Sequence, residues 1–375
     1  MNSSIELGRI AGIRFGVNWS WLVVFALITW SLKAQVFPEQ NPGLGDGTYL
    51  AMAIGAAVLF FVTLLAHELG HALQARRDGM EIEGITLWLF GGVAKFRGSF
   101  PSAGAEFRIA VAGPLVSLAI AVVLVGLSAL VPLPAAVDGV VFWLGFINAV
   151  LLVFNLLPAL PLDGGRVLRS LLWYFLGDFG RATRTAALVA RGFAFLFIGL
   201  GVVRFFMDDT VGGVWMAFLG WFLLGAAAAE LRYVAVREAL GGMRVGDLMV
   251  REPASVTSSL SLGEFMDDVV SPRRYTTYPV VDDGHPVGLL PFRCVAQVPR
   301  AEWDHRTVGD CMLSRSEVPV LDEDEALTDA LAELGESDVG RGLVVEDDRL
   351  VGFLSITDVA KALELGALRR KRRRS

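Results

Sequence analysis

The residues with the clearest chemical potential are Ala66-His67-Glu68-Leu69-Gly70-His71. Two histidines four apart on a helix share one face and are close enough to hold one metal ion between them. The HExxH spacing sets Glu68 beside them, where it can act as general base on a water activated by that metal. The motif ends a long apolar run, Tyr49 to Leu65. Ionisable side chains in such a run cost roughly 2.5–3.5 kcal/mol each on insertion scales, and they usually mark function.

A catalytic zinc takes three protein ligands and leaves one position open. The chain has 4 histidines and 2 cysteines, and His285, His305, Cys294 and Cys311 all fall in the C-terminal part. The third ligand is therefore expected to be a carboxylate from the N-terminal part. Asp78, Glu81, Glu83, Glu106, Asp163 and Asp178 are candidates. Asp163 stands out, in Asn155-Leu156-Leu157-Pro158-Ala159-Leu160-Pro161-Leu162-Asp163-Gly164-Gly165-Arg166. The prolines break a helix, and the two glycines are expected to loosen the chain so that a turn aims the carboxylate inward.

The elements that must position these groups are membrane helices. The 375 residues are 54% hydrophobic and 19% charged, with a mean hydropathy of +0.55. That is too apolar for an ordinary soluble enzyme. Six stretches suit a spanning helix of about 20 residues: Val17–Val36, Thr48–Gln74, Phe107–Val131, Gly139–Leu157, Ala186–Phe206 and Val211–Val236. No cleavable signal peptide is expected, since no small-x-small site follows the first run.

Arginine and lysine set the orientation. Arg9 and Arg14, then Arg76, Arg77, Lys95, Arg97 and Arg108, then Arg166, Arg169, Arg181, Arg184 and Arg191, then Arg232 and Arg237 fall on one side. The opposite loops carry Glu39, Asp46, Asp138, Asp208 and Asp209, with Lys33 and Arg204 as exceptions at helix ends. Both termini are thus expected to be cytoplasmic, with His67 and His71 toward that side. Two cysteines give no disulfide framework and fit a reducing cytosol. The net charge of −6 hides a basic tail, Arg369 to Arg374, read as a solvated end rather than a specific nucleic-acid contact.

Glu83 to Phe96 is β-prone, and Gly91-Gly92 reads as the turn of a hairpin at the membrane surface. Its exposed edge is a candidate substrate-binding site, able to pair with an extended peptide by strand addition. In the C-terminal part, Val245-Gly246-Asp247-Leu248-Met249 recurs as Val308-Gly309-Asp310-Cys311-Met312. Val280-Val281-Asp282 and Val287-Gly288-Leu289-Leu290 recur as Val344-Val345-Glu346 and Val351-Gly352-Phe353-Leu354. The period of about 63 residues means a tandem pair of small α/β units.

These motifs resemble known families. HExxH at 67–71 with Asn155…Pro158…Asp163-Gly164, together with Gly113-Pro114, resembles the site-2 protease family of intramembrane zinc metalloproteases, over roughly residues 10–236. The resemblance implies one zinc per chain on His67, His71 and Asp163, with Glu68 as base. It implies that Asn155 orients the substrate or stabilises the oxyanion; interhelical hydrogen bonding is the alternative. It also implies a single-span membrane protein as substrate, such as a transcription regulator or anti-sigma factor. The repeat resembles a pair of CBS motifs, which often bind adenine nucleotides (ATP, ADP or AMP). Gly352-x-x-Ser355-x-x-Asp358 keeps the ribose and phosphate pattern. The first repeat departs from it with Pro291 and Cys294, so at most one site of the usual kind is expected.

The expected architecture is a polytopic α-helical membrane domain of six spans, with a short membrane-surface β-hairpin, plus a cytosolic α/β tandem CBS domain. Its boundaries are 1–236 for the membrane domain, 237–242 for a linker, 243–300 and 305–364 for the two CBS motifs, and 365–375 for the tail. The expected protein is a homodimer in the lipid bilayer, proteolytic and modulated by nucleotide. A CBS-regulated ion or solute transporter gives no reason for HExxH with a distant aspartate, and a non-catalytic scaffold gives none for Glu68.

Overall fold

The computed structural model describes residues 5–10, 12–88, 91–96, 100–270 and 275–363. The basic tail and residues 89–90 lie outside them. The chain forms two compact units, Met1–Val234 and Ala235–Ser375.

The first unit is built from six helices long and apolar enough to cross a membrane. They are α1 (Ser20–Gln40), α2 (Asp46–Arg77), α3 (Ala103–Leu130), α4 (Ala135–Asn155), α6 (Phe179–Phe206) and α7 (Thr210–Leu240). The protein is accordingly a multi-pass membrane protein. Lys33 and Arg204, the two charge exceptions, are paired with acidic neighbours: Lys33 Nζ lies 3.3 Å from Asp46 Oδ2, and Arg204 pairs with Asp209. The helices start and stop where the sequence satisfies their free backbone groups. Ser102 caps α3 by accepting from the Ala105 N–H, and Asp178 caps α6 by accepting from Arg181. Among lipid-facing helices the hydrophobic effect gives little drive to associate, so small residues make the seams. Gly70 on α2 sits against the Ala112 carbonyl of α3, and Gly201 and Gly220 let α6 and α7 meet backbone to backbone.

A shorter helix was not foreseen. α5 (Asp163–Leu176) follows the proline-broken end of α4 and carries the aspartate as its first residue. Gly164 and Gly165 therefore do not loosen the chain. A Cβ on Gly164 would lie 2.2 Å from the Leu156 carbonyl oxygen, and one on Gly165 would lie 2.3 Å from the Leu160 nitrogen. The glycines let the first turn of α5 seat on the segment before it. Gly177, at φ 67°, ends the helix.

The hairpin belongs to a four-stranded sheet, ordered β1 (Ile5–Ile10), β2 (Ile13–Val17), β3 (Ile82–Trp88) and β4 (Gly91–Phe96). β2 and β3 run parallel, with Phe15 opposite Ile85. Gly91 pairs with Trp88 and Gly92 with Leu87. The two glycines thus open β4 rather than form the turn. Ile13, Phe15 and Ile85 pack on Leu65, Leu69 and Ala72 of α2, while Val17 and Leu87 pack on Phe61 and Leu64. The sheet is laid along the helix that carries HExxH.

In the second unit the repeats interleave. The first sheet runs β5 (Val250–Arg251), β11 (Arg349–Ser355), β10 (Arg341–Glu346), β9 (Val320–Leu321). The second runs β6 (Thr277–Asp282), β7 (His285–Pro291), β8 (Leu313–Ser314). The opening strand of each repeat thus completes the other repeat's sheet. Gly352 and Gly288 recur at these joints because a side chain there would strike Met249 Sδ at 2.4 Å or the Leu313 carbonyl at 2.1 Å. The stretch 237–242 expected as a linker is helical through Leu240, which joins the core of this unit beside Val245, Leu327 and Val344.

Candidate metal centre

His67 and His71 lie one turn apart on α2 and are 2% and 4% exposed. Their Nε2 atoms are 3.2 Å apart. Asp163 Oδ2 lies 3.2 Å from the first and 3.3 Å from the second. Among the described residues this is the one group of three or more metal-binding side chains with such convergence. In a tetrahedral zinc site with bonds of 2.0–2.1 Å, ligand atoms stand about 3.3–3.4 Å apart. The triangle has the dimensions of one face of that tetrahedron. Its donor set, two imidazoles and a carboxylate, suits zinc and leaves a fourth position open.

The hydrogen bonds behind the rings point the same way. His71 Nδ1 is 2.6 Å from the Ile109 carbonyl oxygen, which can only accept. That fixes the proton on Nδ1 and turns the Nε2 lone pair toward the cluster. His67 Nδ1 is 2.9 Å from Ser117 Oγ, and the same tautomer, donating to the hydroxyl, frees its Nε2. Ile109, Gly113 and Ser117 are four residues apart along α3 and form one stripe facing α2. Gly113 is the open point of the stripe: a Cβ there would come within 2.2 Å of His71 Nε2 and 2.7 Å of His67 Nε2. The sequence reading noted Gly113-Pro114 but missed Ser117 and Ile109. A lone serine in an apolar helix has no local signature, although its spacing from Gly113 was available.

Asp78, Glu106 and Asp178, three of the other acidic candidates, are engaged elsewhere. Asp78 accepts from Gln74 Nε2 at 2.9 Å and from Arg108, whose guanidinium holds its carboxyl below the ordinary range. Glu106 is buried against Arg169, and Asp178 caps α6. Glu68 is half-buried next to the triangle, and Gly92 of β4 lies over it: a Cβ on that glycine would meet Glu68 Cγ at 2.4 Å and Oε1 at 3.1 Å. Asn155 is the last residue of α4, half-buried, eight positions before Asp163. In the second unit Ser355 Oγ donates to Asp358 Oδ2 at 2.6 Å, where β11 passes into the closing helix.

A multi-span bundle that brings the carboxylate at the start of one helix to the HExxH histidines of another points to an intramembrane metalloprotease. Comparison with known proteins agrees. Residues 55–135 and 131–199 match peptidase family M50, and residues 245–298 and 308–365 match the CBS domain. The chain is 40% identical over 372 residues, 97% of its own length and 94% of the other's, to Rip3 of Mycobacterium tuberculosis (strain ATCC 25618 / H37Rv), which carries a zinc metalloprotease name. It is 30% identical over 365 residues, 97% of each chain, to a zinc metalloprotease of Methanocaldococcus jannaschii. It is similar to the solved site-2 protease of that organism at 29% identity, over 61% of this chain and 95% of that one, with a TM-score of 0.43. The chain belongs to peptidase family M50, the site-2 protease family of intramembrane zinc metalloendopeptidases, and carries a C-terminal pair of CBS domains.

Proposed function

We propose that the protein hydrolyses a peptide bond within or near the transmembrane helix of a single-span membrane protein, at one zinc ion held by His67, His71 and Asp163. The observation that carries this reading is the triangle of Nε2, Nε2 and Oδ2 at 3.2–3.3 Å, with Glu68 beside it. Zinc bound there supplies Lewis-acid polarisation of the scissile carbonyl and acidification of water. The chain's residues supply the rest. Ile109 and Ser117 keep both imidazoles in the metal-binding tautomer. Glu68 takes the proton of the attacking water on its carboxylate and returns it to the leaving amine. Asn155, half-buried at the end of α4, is assigned the role of orienting the substrate or stabilising the oxyanion.

A helical peptide shields its own bonds, so the substrate must unwind before attack. β4 ends the order of the described sheet, and its second residue, Gly92, lies over Glu68. An unwound segment adding to that strand is brought to the base by backbone hydrogen bonds, with little demand on sequence. The arginine and lysine distribution supports cytoplasmic termini and a cytoplasmic CBS pair. Ser355 and Asp358 support one site for ATP, ADP or AMP, through which the protease is modulated, and the CBS pair supports a homodimer.

The test is Glu68→Gln in the full-length protein, assayed on a single-span reporter together with its bound metal. Retained zinc with abolished cleavage is the expected result. Undiminished cleavage would sink the assignment.

A further inference from the structure

Away from the metal centre, α5 carries a second buried polar cluster. Arg169 is 3% exposed. Its Nε donates to Glu106 Oε1 of α3 at 2.7 Å, and its Nη2 reaches the same oxygen at 2.5 Å. Its Nη1 donates to Glu230 Oε2 of α7 at 2.7 Å. The Phe179 ring lies 5.0 Å from its Cζ. Every edge of the guanidinium is engaged, so both the rotation and the height of α5 are set. The sequence reading had counted Arg169 as a loop charge that orients the protein.

Cohesion alone does not account for this cluster. Charges buried among membrane helices are expensive, and apolar side chains of similar volume would hold the helices at least as well. What a charged fork adds is direction. Arg169 follows Asp163 by six residues, about 1.7 turns and about 9 Å along the axis. On α3, Glu106 begins the stripe that continues through Ile109, Gly113 and Ser117, the residues set against the two histidines. The α3–α5 seam therefore has a carboxylate facing the histidines at one end and an ion pair at the other. Without the second anchor the first turn of α5 is free to pivot, and displacements of about 1 Å at reacting groups cost on the order of a hundredfold. Arg166, between the two anchors, has a buried Nε without a hydrogen-bond partner, as has Glu106 Oε2.

We infer that Arg169 is a positioning residue for the metal centre: by clamping Glu106 and Glu230 it fixes the start of α5, and with it the direction in which Asp163 presents its carboxylate. The inference rests on the reading of His67, His71 and Asp163 as metal ligands.

The experiment uses the full-length protein in detergent micelles, loaded with cobalt(II), and reads the visible ligand-field band and the affinity in competition with a chelator. Arg169→Gln should weaken metal binding about 10–100-fold, the range for residues that orient ligands, and shift the band. Arg169→Lys keeps the charge without the fork and should recover only part of the loss. A triple variant, Glu106→Leu, Arg169→Met and Glu230→Leu, tests packing separately, since apolar replacement of a buried ion cluster is often neutral or stabilising. It should stay folded and monodisperse yet keep the altered band. A triple variant with wild-type band and affinity would overturn the inference, and it decides the matter if Arg169→Gln does not fold. A wild-type protein that takes up no cobalt would instead defeat the metal assignment itself.

Discussion

Gly92 lies over Glu68 so closely that a Cβ added to the glycine would stand 2.4 Å from the glutamate Cγ. The two residues come from different elements, an edge strand of the described sheet and a membrane helix, and a side chain at position 92 would displace Glu68. Gly92→Ala should push the carboxylate aside and lower cleavage about a hundredfold, the usual cost of a displacement near 1 Å. It should leave bound zinc unchanged, because Glu68 is not part of the triangle. Cleavage near wild type in a metal-replete Gly92→Ala protein would show that the base tolerates displacement.

Gly113 faces the other side of the cluster and predicts the opposite outcome. A methyl group there enters the space between the two Nε2 atoms, at 2.2 and 2.7 Å. Gly113→Ala should lose metal and activity together. Metal analysis of the purified protein separates the two glycines: Ala at 92 keeps zinc, and Ala at 113 does not.

Ser117→Ala removes the partner of His67 Nδ1 and leaves the ring free to rotate or change tautomer. Zinc affinity should fall about 10–100-fold, with turnover restored at high zinc. Affinity equal to wild type would mean that the hydroxyl plays no part in orienting the ring. The corresponding partner of His71 is the Ile109 backbone carbonyl, which side-chain substitution leaves in place.

The second unit has its own pH signature. Asp282 accepts from the Ser258 hydroxyl at 2.6 Å and from the Ser258 N–H at 2.9 Å, and these bonds hold its carboxyl below the ordinary range. A folded-state value below the unfolded one gives stabilisation that is complete above the unfolded pKa, about 3.9. It is lost as pH falls through the lower folded value. Thermal unfolding should therefore show Asp282→Asn less stable than wild type at pH 7, with the gap closing below about pH 4. A gap that persists at low pH would assign the difference to something other than charge.

Ser355 and Asp358 should govern nucleotide affinity together, since one hydrogen-bonds the other. Calorimetry with ATP on the full-length protein should show binding in the wild type and at least tenfold weaker binding in Asp358→Asn. Equal affinity would remove these residues from the site.

Much of the centre was legible because its chemistry is tied to rare residues. HExxH is a spacing rule of one helix, and the histidine and cysteine census narrowed the third group to a carboxylate. The six spans were legible from length and apolarity, which the bilayer imposes directly. α5 was hidden because it is short, amphipathic and flanked by prolines and glycines that read as a loop. The Gly164-Gly165 pair illustrates the ambiguity: permissive backbone and close approach look the same in a sequence, and only the Leu156 and Leu160 backbones decide between them. β1 and β2 were missed because five- and six-residue strands beside an apolar run merge with it. The Glu106–Arg169–Glu230 cluster was invisible because its members are more than sixty positions apart for either pair.

The convergence of Nε2, Nε2 and Oδ2 also ties folding to metal supply. Both Nδ1 atoms are committed elsewhere, so three electron-rich atoms meet at 3.2–3.3 Å with no hydrogen of their own to share. Seating of Asp163, the first residue of α5, beside the two α2 histidines and capture of a cation are then linked equilibria. A free-metal level 100 times the dissociation constant contributes about 2.7 kcal/mol to the seated state, and a level below that constant contributes almost nothing. On the proposed metal assignment, the thermal stability of the purified protein should rise with added zinc and fall on chelation.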